Sequence, residues 1–351
     1  MWTSYKKELF WGLGLFLLIF FASNQIYMFG TNYANNNFIS KTATISKTIS
    51  NNKVISSQSI VSQKPNIKLA FVGDIMLDRG VKSSVYKNFA GDYEELFTKV
   101  GDDLQGYDIL VGNLEGPISN KGTDQGGVYS FRFEPKTVLA LRDVGFDVLS
   151  IANNHIFNWG RLAFTDTLAN LTSEKINYIG GGFNGNEAYS EKIIDLNGVK
   201  IAFLAFSEFA AGGVNSSSTN SGIAVISEDE ITRSVSEAKS QADLVVVSYH
   251  FGEEYADTPN SFQKKYAELA IDSGADLIIG HHPHVVQTLE QYKNVYIIYS
   301  LGNFIFDQYF SKETMQGGIL EVEVNSSNKI IEKVTLKKVL LNKYFQIESI
   351  E

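Results

Sequence analysis

Five apolar runs along the chain share one pattern, in which each run ends in a cluster of polar residues. The runs are IKLAFVGD (67–74), YDILVGNLE (107–115), FDVLSIANNH (146–155), ADLVVVSYH (242–250) and ADLIIGHHPH (275–284). Continuous β-branched and aliphatic residues are typical of strands that are buried on both faces of a sheet. The pattern predicts a largely parallel sheet with polar side chains at the carboxyl ends of its strands.

Amphipathic segments alternate with these strands. Helices are predicted over residues 135–145, 226–242 and 261–275. Pro135 is a suitable first residue for the first helix, and Gly145 and Gly274 are suitable ends for the first and third. Alternating strands and helices indicate an α/β domain, whose ligand site is expected in the crevice at the carboxyl edge of the sheet. Residues 317–341 alternate around Asn-Ser-Ser-Asn, which predicts a β-hairpin covering a sheet edge.

The N-terminal segment has a different pattern. Residues 10–29 are largely apolar and follow Lys6 and Lys7, and no further Lys or Arg occurs before Lys41. These 20 residues are about enough for a helix to cross a bilayer, and basic residues favour the cytoplasmic side. We predict a cytoplasmic segment at 1–9, an uncleaved single-pass transmembrane anchor at 10–29 and an extracytoplasmic body. A cleaved signal peptide is the alternative.

A polar segment separates this anchor from the rest of the chain. Of the 33 residues from 31 to 63, 19 are Ser, Thr, Asn or Gln, and none is Asp, Glu, Gly or Pro. Such a segment cannot bury enough apolar surface to fold alone. We predict a polar stalk over 30–66, followed at 67–351 by one large α/β domain or two closely packed lobes.

The composition of the chain excludes several classes of binding and catalytic site. The formal net charge of −9 at pH 7 argues against a nucleic-acid-binding protein, which would carry a basic face. None of the 351 residues is cysteine, so disulfides, thiolate metal sites and a cysteine nucleophile are excluded. A metal site in this chain would have to use His, Asp, Glu and Asn.

All five histidines fall in the clusters at the strand ends. The residues of interest there are His155, His250, His281, His282, His284, Asp74, Asn113, Glu115, Asn153 and Asn154. Imidazole with carboxylate and amide oxygen, without sulfur, fits one or two divalent ions of Mn, Zn or Fe. A purely structural histidine cluster is the alternative.

The three histidines of GHHPH are predicted to differ in direction. His282 and His284 lie two apart, so an extended chain stiffened by Pro283 would place them on the same side. His281 would then face away from His282, which suits a hydrogen-bonding or substrate-facing role.

Seven motifs in order carry a family resemblance. FVGDIMLDRG (71–80), VGNLEGPIS (111–119), FRFEP (131–135), ANNHIFNWG (152–160), SYHFGEEY (248–255), GHHPHVVQ (280–287) and SLGNFIFDQ (300–308) resemble the CapA family, which is named for poly-γ-glutamate capsule biosynthesis. Their order is also similar to the pattern of calcineurin-like metallophosphoesterases. The resemblance covers about residues 67–310 and implies a four-layer αββα sandwich with two metals between the sheets.

The resemblance also implies roles for individual residues. The implied metal ligands are Asp74 and His284 for the first ion, and Asn154, His250 and His282 for the second. Asn113 or Glu115 would occupy the bridging position, and only Glu115 has the charge to bridge well. His155 would be the general acid that protonates the leaving oxygen, while two metals clamp a phosphate-like group.

Two positions depart from the phosphoesterase pattern. Met76 stands where that pattern has a histidine, and a thioether is a poor ligand for a hard divalent ion. We expect Met76 to pack in the core, which leaves the first metal short of a ligand unless Asp78 substitutes. Asn158 stands where an acidic partner of His155 is expected, and an amide orients an imidazole without stabilising its cation. One metal instead of two, or modest activity, is therefore an alternative.

Other polar side chains near the clusters have two interpretations each. Arg79 would clamp an anionic substrate or form a surface salt bridge, and Arg132 would bind an anion or pack along its loop. Glu254 would support a histidine or belong to an acidic helix start. Together with Asn113, Asn153 and His281, these residues form the predicted substrate-binding or supporting set.

Three hypotheses of function follow. The first is a membrane-anchored, extracytoplasmic protein for synthesis or export of poly-γ-glutamate or a similar anionic capsule polymer, with capsule synthase and export subunits as partners. The second is a stand-alone metal-dependent hydrolase of phosphoesters or of the polymer. The third is a non-catalytic, polymer-binding scaffold of a membrane complex.

Overall fold

The computed structural model describes residues 65–215 and 217–351. Within these ranges, no helix is both long enough and apolar enough to cross a membrane. The predicted cytoplasmic segment, the predicted anchor over 10–29 and nearly all of the predicted stalk lie outside the described residues. The first strand begins at Ile67.

Strands and helices alternate along the chain as the apolar pattern predicts. The strands are β1 (Ile67–Ile75), β2 (Ile109–Leu114), β3 (Phe146–Ser150), β4 (Asn177–Ile179), β5 (Gly181–Gly182), β6 (Lys192–Leu196), β7 (Val199–Ser207), β8 (Gly213–Val214), β9 (Gly222–Ala224), β10 (Leu244–His250), β11 (Leu277–His281), β12 (Leu289–Tyr292), β13 (Val295–Ile298), β14 (Asn303–Ile305), β15 (Gln316–Asn325), β16 (Ile330–Leu341) and β17 (Ile347–Ile350). The α-helices are α1 (Arg79–Asn88), α2 (Gly101–Leu104), α3 (Thr137–Val144), α4 (Gly160–Ser173), α5 (Gly185–Ala188), α6 (Glu228–Gln241) and α7 (Ser261–Asp272), and a 3-10 helix spans Glu94–Leu96.

The predicted helices are confirmed as α3, α6 and α7, and local chemistry explains two of their ends. Helix α3 ends at Gly145, which has φ 103° and so takes the left-handed conformation that glycine adopts without strain. Helix α7 begins at a capping box, in which the Asn260 side chain and the Gln263 side chain each bind the other's backbone amide.

Two sheets hold most of the strands. The eight-stranded sheet has the order β17-β16-β15-β1-β2-β3-β4, and β14 pairs in parallel with β1. Strands β1 to β4 run parallel, while β15 to β17 extend the sheet antiparallel. The six-stranded sheet has the order β12-β13-β11-β10-β7-β6, with a parallel centre and antiparallel edges. The predicted hairpin is confirmed as β15 and β16; β15 pairs directly with β1.

Three apolar clusters define the layers. One lies between the two large sheets, where Leu69 and Phe71 of β1 join Phe203 of β7 and Val246 of β10. The second joins the other face of the eight-stranded sheet to α1, α3 and α4, and the third joins the other face of the six-stranded sheet to α6 and α7. The order is helix, sheet, sheet, helix, which is the predicted four-layer sandwich.

The pairing register of strand β1 changes on both sides of Asp74. Its pairing with β2 shifts between Phe71 and Asp74, and its pairing with β14 shifts between Asp74 and Ile75. Gly73 permits the close approach to the backbone before β14, because a Cβ there would lie 2.0 Å from the carbonyl oxygen of Gly302. A register shift of this kind redirects side chains, and it places Asp74 at the edge where the two sheets end.

Candidate metal centre

Polar side chains from both sheets meet at one edge of the sandwich. Asp74 and Asn113 lie near the ends of β1 and β2, and Glu115 follows β2 directly. The segment 153–155 follows β3, while His250 and His281 are the last residues of β10 and β11. The five clusters that end the apolar runs therefore form one crevice, as the strand-end pattern predicts.

Two groups of side chains in this crevice have the composition of a divalent-metal site. In each group, one potential ligand atom per residue lies within 4.8 Å of the others. The buried group consists of Asp74, Glu115 and His250. The open group consists of Glu254, His282 and His284, and its Glu254 is exposed to solvent.

Asp74 is the most connected carboxylate of the crevice. Asn113 Nδ2 donates to its Oδ1 at 2.8 Å, and the backbone N–H of His282 donates to its Oδ2 at 3.3 Å. The Nδ1 atoms of His281 and His284 lie 3.3 and 3.2 Å from the two carboxylate oxygens. Burial acts to raise the pKa of Asp74, but the contacts with these two histidines outweigh it and hold the pKa well below its ordinary value.

The amides of Asn113 and Asn153 are committed to the framework. Asn153 Nδ2 donates to Asn113 Oδ1 at 3.2 Å and to the carbonyl of Leu114 at 2.8 Å. Asn153 Oδ1 accepts the backbone N–H groups of His155 and Ile156 at 3.2 and 3.0 Å. These bonds fix the loop that carries Asn154 and His155 above the end of β2.

Glu115 is buried without a partner. Neither carboxylate oxygen has a hydrogen-bond partner anywhere in residues 65–215 and 217–351. Burial, reinforced by the nearby charge of Asp74, raises the pKa of Glu115 well above its ordinary value. A buried carboxylate that no side chain satisfies is costly unless a proton or a cation accompanies it.

Two imidazoles present lone pairs to Glu115. Nδ1 of His284 donates to Asn303 Oδ1 at 3.0 Å, and Nδ1 of His155 donates to Asn158 Oδ1 at 2.9 Å. In a neutral ring whose Nδ1 carries the proton, Nε2 is an acceptor. Both Nε2 atoms lie 3.8 Å from Glu115 Oε1. Three acceptor atoms thus face one another, which is the arrangement that a cation stabilises.

Burial holds His250 and His282 in the neutral form. Nε2 of His250 donates to Asn154 Oδ1 at 2.8 Å. Burial lowers the pKa of His250 well below its ordinary value and lowers the pKa of His282 to about 3. Burial lowers the pKa of His155 to about 4 as well. Neutral imidazole is the form that binds a metal, so near pH 7 no proton competes at these rings.

The geometry of GHHPH differs from the predicted extended chain. Strand β11 ends at His281, and both His282 and His284 have a left-handed backbone, with φ of 99° and 60°. Left-handed conformations cost about 1–3 kcal/mol at non-glycine residues and concentrate at functional sites. Two such turns, rather than strand alternation, bring the rings of His282 and His284 to a centroid distance of 6.0 Å. His281 instead contacts Asp74 between the sheets.

The two arginines are engaged with the protein itself. Arg79 makes a two-point ion pair with Asp307, which also accepts the backbone N–H of Gly80 at 2.8 Å. The guanidinium of Arg132 lies 3.5 Å from the ring centroid of Trp159, so this side chain packs along its loop. Arg79 therefore has an acidic partner within the protein, and Arg132 has an aromatic one.

Met76 and Asp78 both point away from the crevice. Met76 is fully buried in the apolar cluster beneath α1, and its sulfur accepts the backbone N–H of Asp78 at 3.2 Å. Asp78 Oδ2 accepts the backbone N–H of Arg132 at 2.9 Å. The expected core position of Met76 is observed, and the Asp78 carboxylate holds the Arg132 loop.

Aromatic rings that sequence reasoning missed enclose the centre. The ring centroids of Phe131 and His155 are 4.1 Å apart, those of Phe209 and His282 are 4.3 Å apart, and those of Phe306 and His284 are 4.7 Å apart. Phe131 and Phe306 lie within two of the seven motifs, which was the available signal, whereas Phe209 lies in a loop without a recognisable pattern.

The sequence profile of one protein family matches the larger part of the chain. The family is described as bacterial capsule synthesis protein PGA_cap, and its profile matches residues 68–308. The chain therefore belongs to this capsule synthesis family, and the predicted family resemblance is confirmed.

Two curated relatives carry capsule names. The chain is 36% identical over 258 residues to the capsule biosynthesis protein CapA of Bacillus anthracis, a match that covers 71% of this chain and 62% of that protein. It is 34% identical over 250 residues to the PGA biosynthesis protein CapA of Bacillus subtilis (strain 168), which covers 70% of this chain and 65% of that protein. The chain thus spans less than two thirds of either relative.

Solved structures that align with this chain are more distant in sequence. A phosphatase from Mycoplasma pneumoniae aligns with a TM-score of 0.49 at 15% identity, covering 79% of this chain and 94% of that one. The calcineurin-like phosphoesterase YfkN of Bacillus subtilis aligns with a TM-score of 0.44 at 13% identity, covering 78% of this chain and 91% of that one.

Proposed function

We propose that this protein acts in the synthesis or export of poly-γ-glutamate or a similar anionic capsule polymer, and that it does so through a divalent-metal centre in the crevice. The family and the names of the two Bacillus relatives support the polymer. One observation carries the metal centre: the unpartnered Glu115 carboxylate faces the Nε2 lone pairs of His155 and His284 at 3.8 Å.

The residues present fit one or two hard divalent ions such as Mn, Zn or Fe. The buried group would hold one ion and the open group the other, with Asn154 as an additional oxygen donor beside His250. Glu115 suits the bridging position better than Asn113, because the Asn113 amide is already hydrogen-bonded to Asp74 and Asn153. When bound, the ions would supply Lewis acidity toward a phosphoryl or acyl oxygen.

His155 is the side chain best placed to move a proton. Its Nδ1 donates to Asn158 and its Nε2 faces the centre, so a neutral His155 accepts a proton at Nε2 and can return it to a leaving oxygen. Asn158 fixes this tautomer and also accepts the backbone N–H of Phe131 at 3.0 Å. Phe131 packs against the imidazole and restricts water on that side.

A metal-binding comparison within one dipeptide tests the centre. Glu253 and Glu254 are adjacent and both exposed, but only Glu254 belongs to the open group. We expect Glu254→Gln to weaken Mn²⁺ or Zn²⁺ binding by the roughly 10- to 100-fold known for lost supporting residues, or by more, and Glu253→Gln to leave it unchanged. Binding is measured on the purified full chain by competition with a chelator. Equal affinities of the two variants would remove Glu254 from the centre, and no binding to wild type would refute the centre as a whole.

The variant His155→Ala distinguishes a hydrolase from a non-catalytic scaffold. If the protein is a hydrolase, this variant keeps both groups of candidate ligands and, at saturating Mn²⁺, loses turnover of a phosphodiester such as bis(p-nitrophenyl) phosphate, together with capsule polymer in cells. A protein that binds metal and turns over no phosphoester, and whose His155→Ala variant still supports normal capsule, would be the polymer-binding scaffold. The buried position of Met76 favours this alternative, because Met76 offers no ligand to the crevice.

The membrane location is part of the same proposal, with an anchor at residues 10–29 and the folded domain outside the cell membrane. Because the chain has no cysteine, single cysteines report topology cleanly. We expect a membrane-impermeant maleimide to label Ser327→Cys, in the exposed turn between β15 and β16, on intact cells. Ser4→Cys should react only after lysis. The reverse labelling pattern would contradict the proposed orientation.

A further inference from the structure

Two adjoining cavities lead away from the metal centre. The entrance cavity has a volume of about 180 Å³ and is lined by His155, Glu254 and His284 together with Tyr255 and Phe310. A larger cavity of about 770 Å³, which we call the side groove, is also lined by Tyr255 and Phe310. The rings of these two residues pack edge to face with centroids 5.1 Å apart. The two cavities therefore share this ring pair as a common boundary.

The side groove has the size and lining of a site for an apolar group. Its volume lies within the range of small-molecule sites, which are mostly apolar. Val285, Val286 and Leu336 line it along with the two rings, and Phe310 is 64% exposed, an unusual position for a large apolar side chain. An occupant that covered these side chains would gain the free energy of apolar burial.

The charges of the side groove do not suit a polyanion. Asp257 and Glu313 both line it. Lys337 lines it too, but its Nζ lies 2.8 Å from Glu321 Oε1, so its charge is largely neutralised. Lys338 is the remaining cation. With two carboxylates against one unneutralised ammonium group, the groove offers no positive potential to attract a chain of carboxylates.

We propose that the side groove binds the apolar chain of an amphiphilic substrate whose anionic head group lies at the metal centre. The inference rests on the proposed function, because it takes the head group to bind there. It adds the class of substrate: a phosphate ester of a long apolar alcohol, rather than the bare anionic polymer. The ring pair Tyr255 and Phe310 would mark the boundary between the head-group and chain subsites.

A series of alkyl phosphates measures the two subsites separately. Methyl, butyl and hexyl phosphate are titrated by calorimetry into the full chain with Mn²⁺. We expect affinity to rise roughly twofold to fourfold for each methylene that enters the groove. Phe310→Ser should reduce this increment, which is read from the ratio of hexyl to methyl phosphate affinity, so that any effect of the substitution on head-group binding cancels. Phe183→Ser is the matched control, because Phe183 is also an exposed phenylalanine but lines a different surface depression.

The outcomes distinguish the groove from the metal centre. Equal affinity for methyl and hexyl phosphate, or affinity that instead rises with the length of glutamate oligomers, would overturn the groove assignment and leave the proposed centre standing. Failure of methyl phosphate to bind would count against the centre. In that case 1-anilinonaphthalene-8-sulfonate fluorescence decides on the groove: displacement by 1-hexanol that is lost in Phe310→Ser and kept in Phe183→Ser supports it, and identical behaviour of the two variants overturns it.

Discussion

The buried group and the open group lie in one crevice but are constructed differently. Asp74, Glu115 and His250 of the buried group are almost completely inaccessible to solvent, and Asp74 accepts hydrogen bonds from the Asn113 side chain and from the backbone N–H of His282. In the open group, two buried histidines are paired with the exposed Glu254, which lines the entrance cavity. The first group lies wholly in the protein core, and the second reaches the solvent through Glu254.

This difference separates two roles that a metal ligand can have. A ligand in the core affects the stability of the fold, because its removal leaves buried donors without acceptors. A ligand at the entrance affects binding with little influence on folding, because water satisfies the groups that remain. The buried group should therefore couple the metal centre to stability, and the open group should couple it to the ligand.

The sharpest test of this contrast compares Asp74→Ala with Glu254→Ala. We expect Asp74→Ala to lower the free energy of unfolding by about 3–5 kcal/mol, because it leaves the buried partners of that carboxylate uncompensated. Glu254→Ala should change it by no more than about 0.5 kcal/mol, as for other exposed positions. Urea unfolding of both variants with a chelator present measures the two values. Comparable losses in both would show that the groups are not distinct in this respect.

Glu115 provides a second test, through pH. Its raised pKa means that the folded protein keeps the proton at a pH at which the unfolded chain has lost it, so stability falls as pH rises above the ordinary value of 4.5. The loss amounts to at most about 1.4 kcal/mol per pH unit. The amide side chain of the Glu115→Gln variant cannot ionise. In the presence of a chelator, the free energy of unfolding of this variant should therefore increasingly exceed that of wild type as pH rises.

The free energies of unfolding of wild type and Glu115→Gln are then measured in the presence of Mn²⁺. We expect the order to reverse, because the ionised Glu115 gains a cation that the amide binds poorly, and the wild type becomes the more stable protein. Stability curves that stay parallel from pH 4 to pH 8 under both conditions would show that Glu115 titrates normally and is not part of the centre.

The fold could largely be predicted from the sequence, and the reason is physical. Strands such as 277–281 are buried on both faces, so their apolar runs are unbroken, and α/β alternation then determines where the polar ends meet. The proximity of Asp74 and Glu115 follows from that rule, whereas His250 ends a strand of the other sheet and reaches them only because the two sheets pack face to face. The apolar pattern also locates the C-terminal hairpin, whose alternation reflects one face packed on the core.

The parts of the site that could not be predicted depend on backbone detail and on distant contacts. The left-handed backbone at His282 and His284 could not be predicted, because non-glycine residues rarely adopt positive φ and no local sequence pattern marks these two as exceptions. The pairing of His284 with Asn303, and of Arg79 with Asp307, joins residues that are far apart in the chain. Phe209 reaches His282 from a loop that no periodic pattern describes.

The smallest expected effect concerns Met76, which the phosphoesterase pattern would replace by a metal-binding histidine. Met76 is fully buried in the apolar cluster on the helical side of β1, whereas Asp74 faces the crevice across the register shift. Met76→Leu conserves the apolar volume, so we expect it to cost less than about 1.5 kcal/mol and to leave Mn²⁺ affinity unchanged. Denaturant unfolding and chelator competition on the same preparation check both values. A marked fall in metal affinity at unchanged stability would mean that the thioether reaches the centre, and the contrast between core and crevice at this strand would then fail.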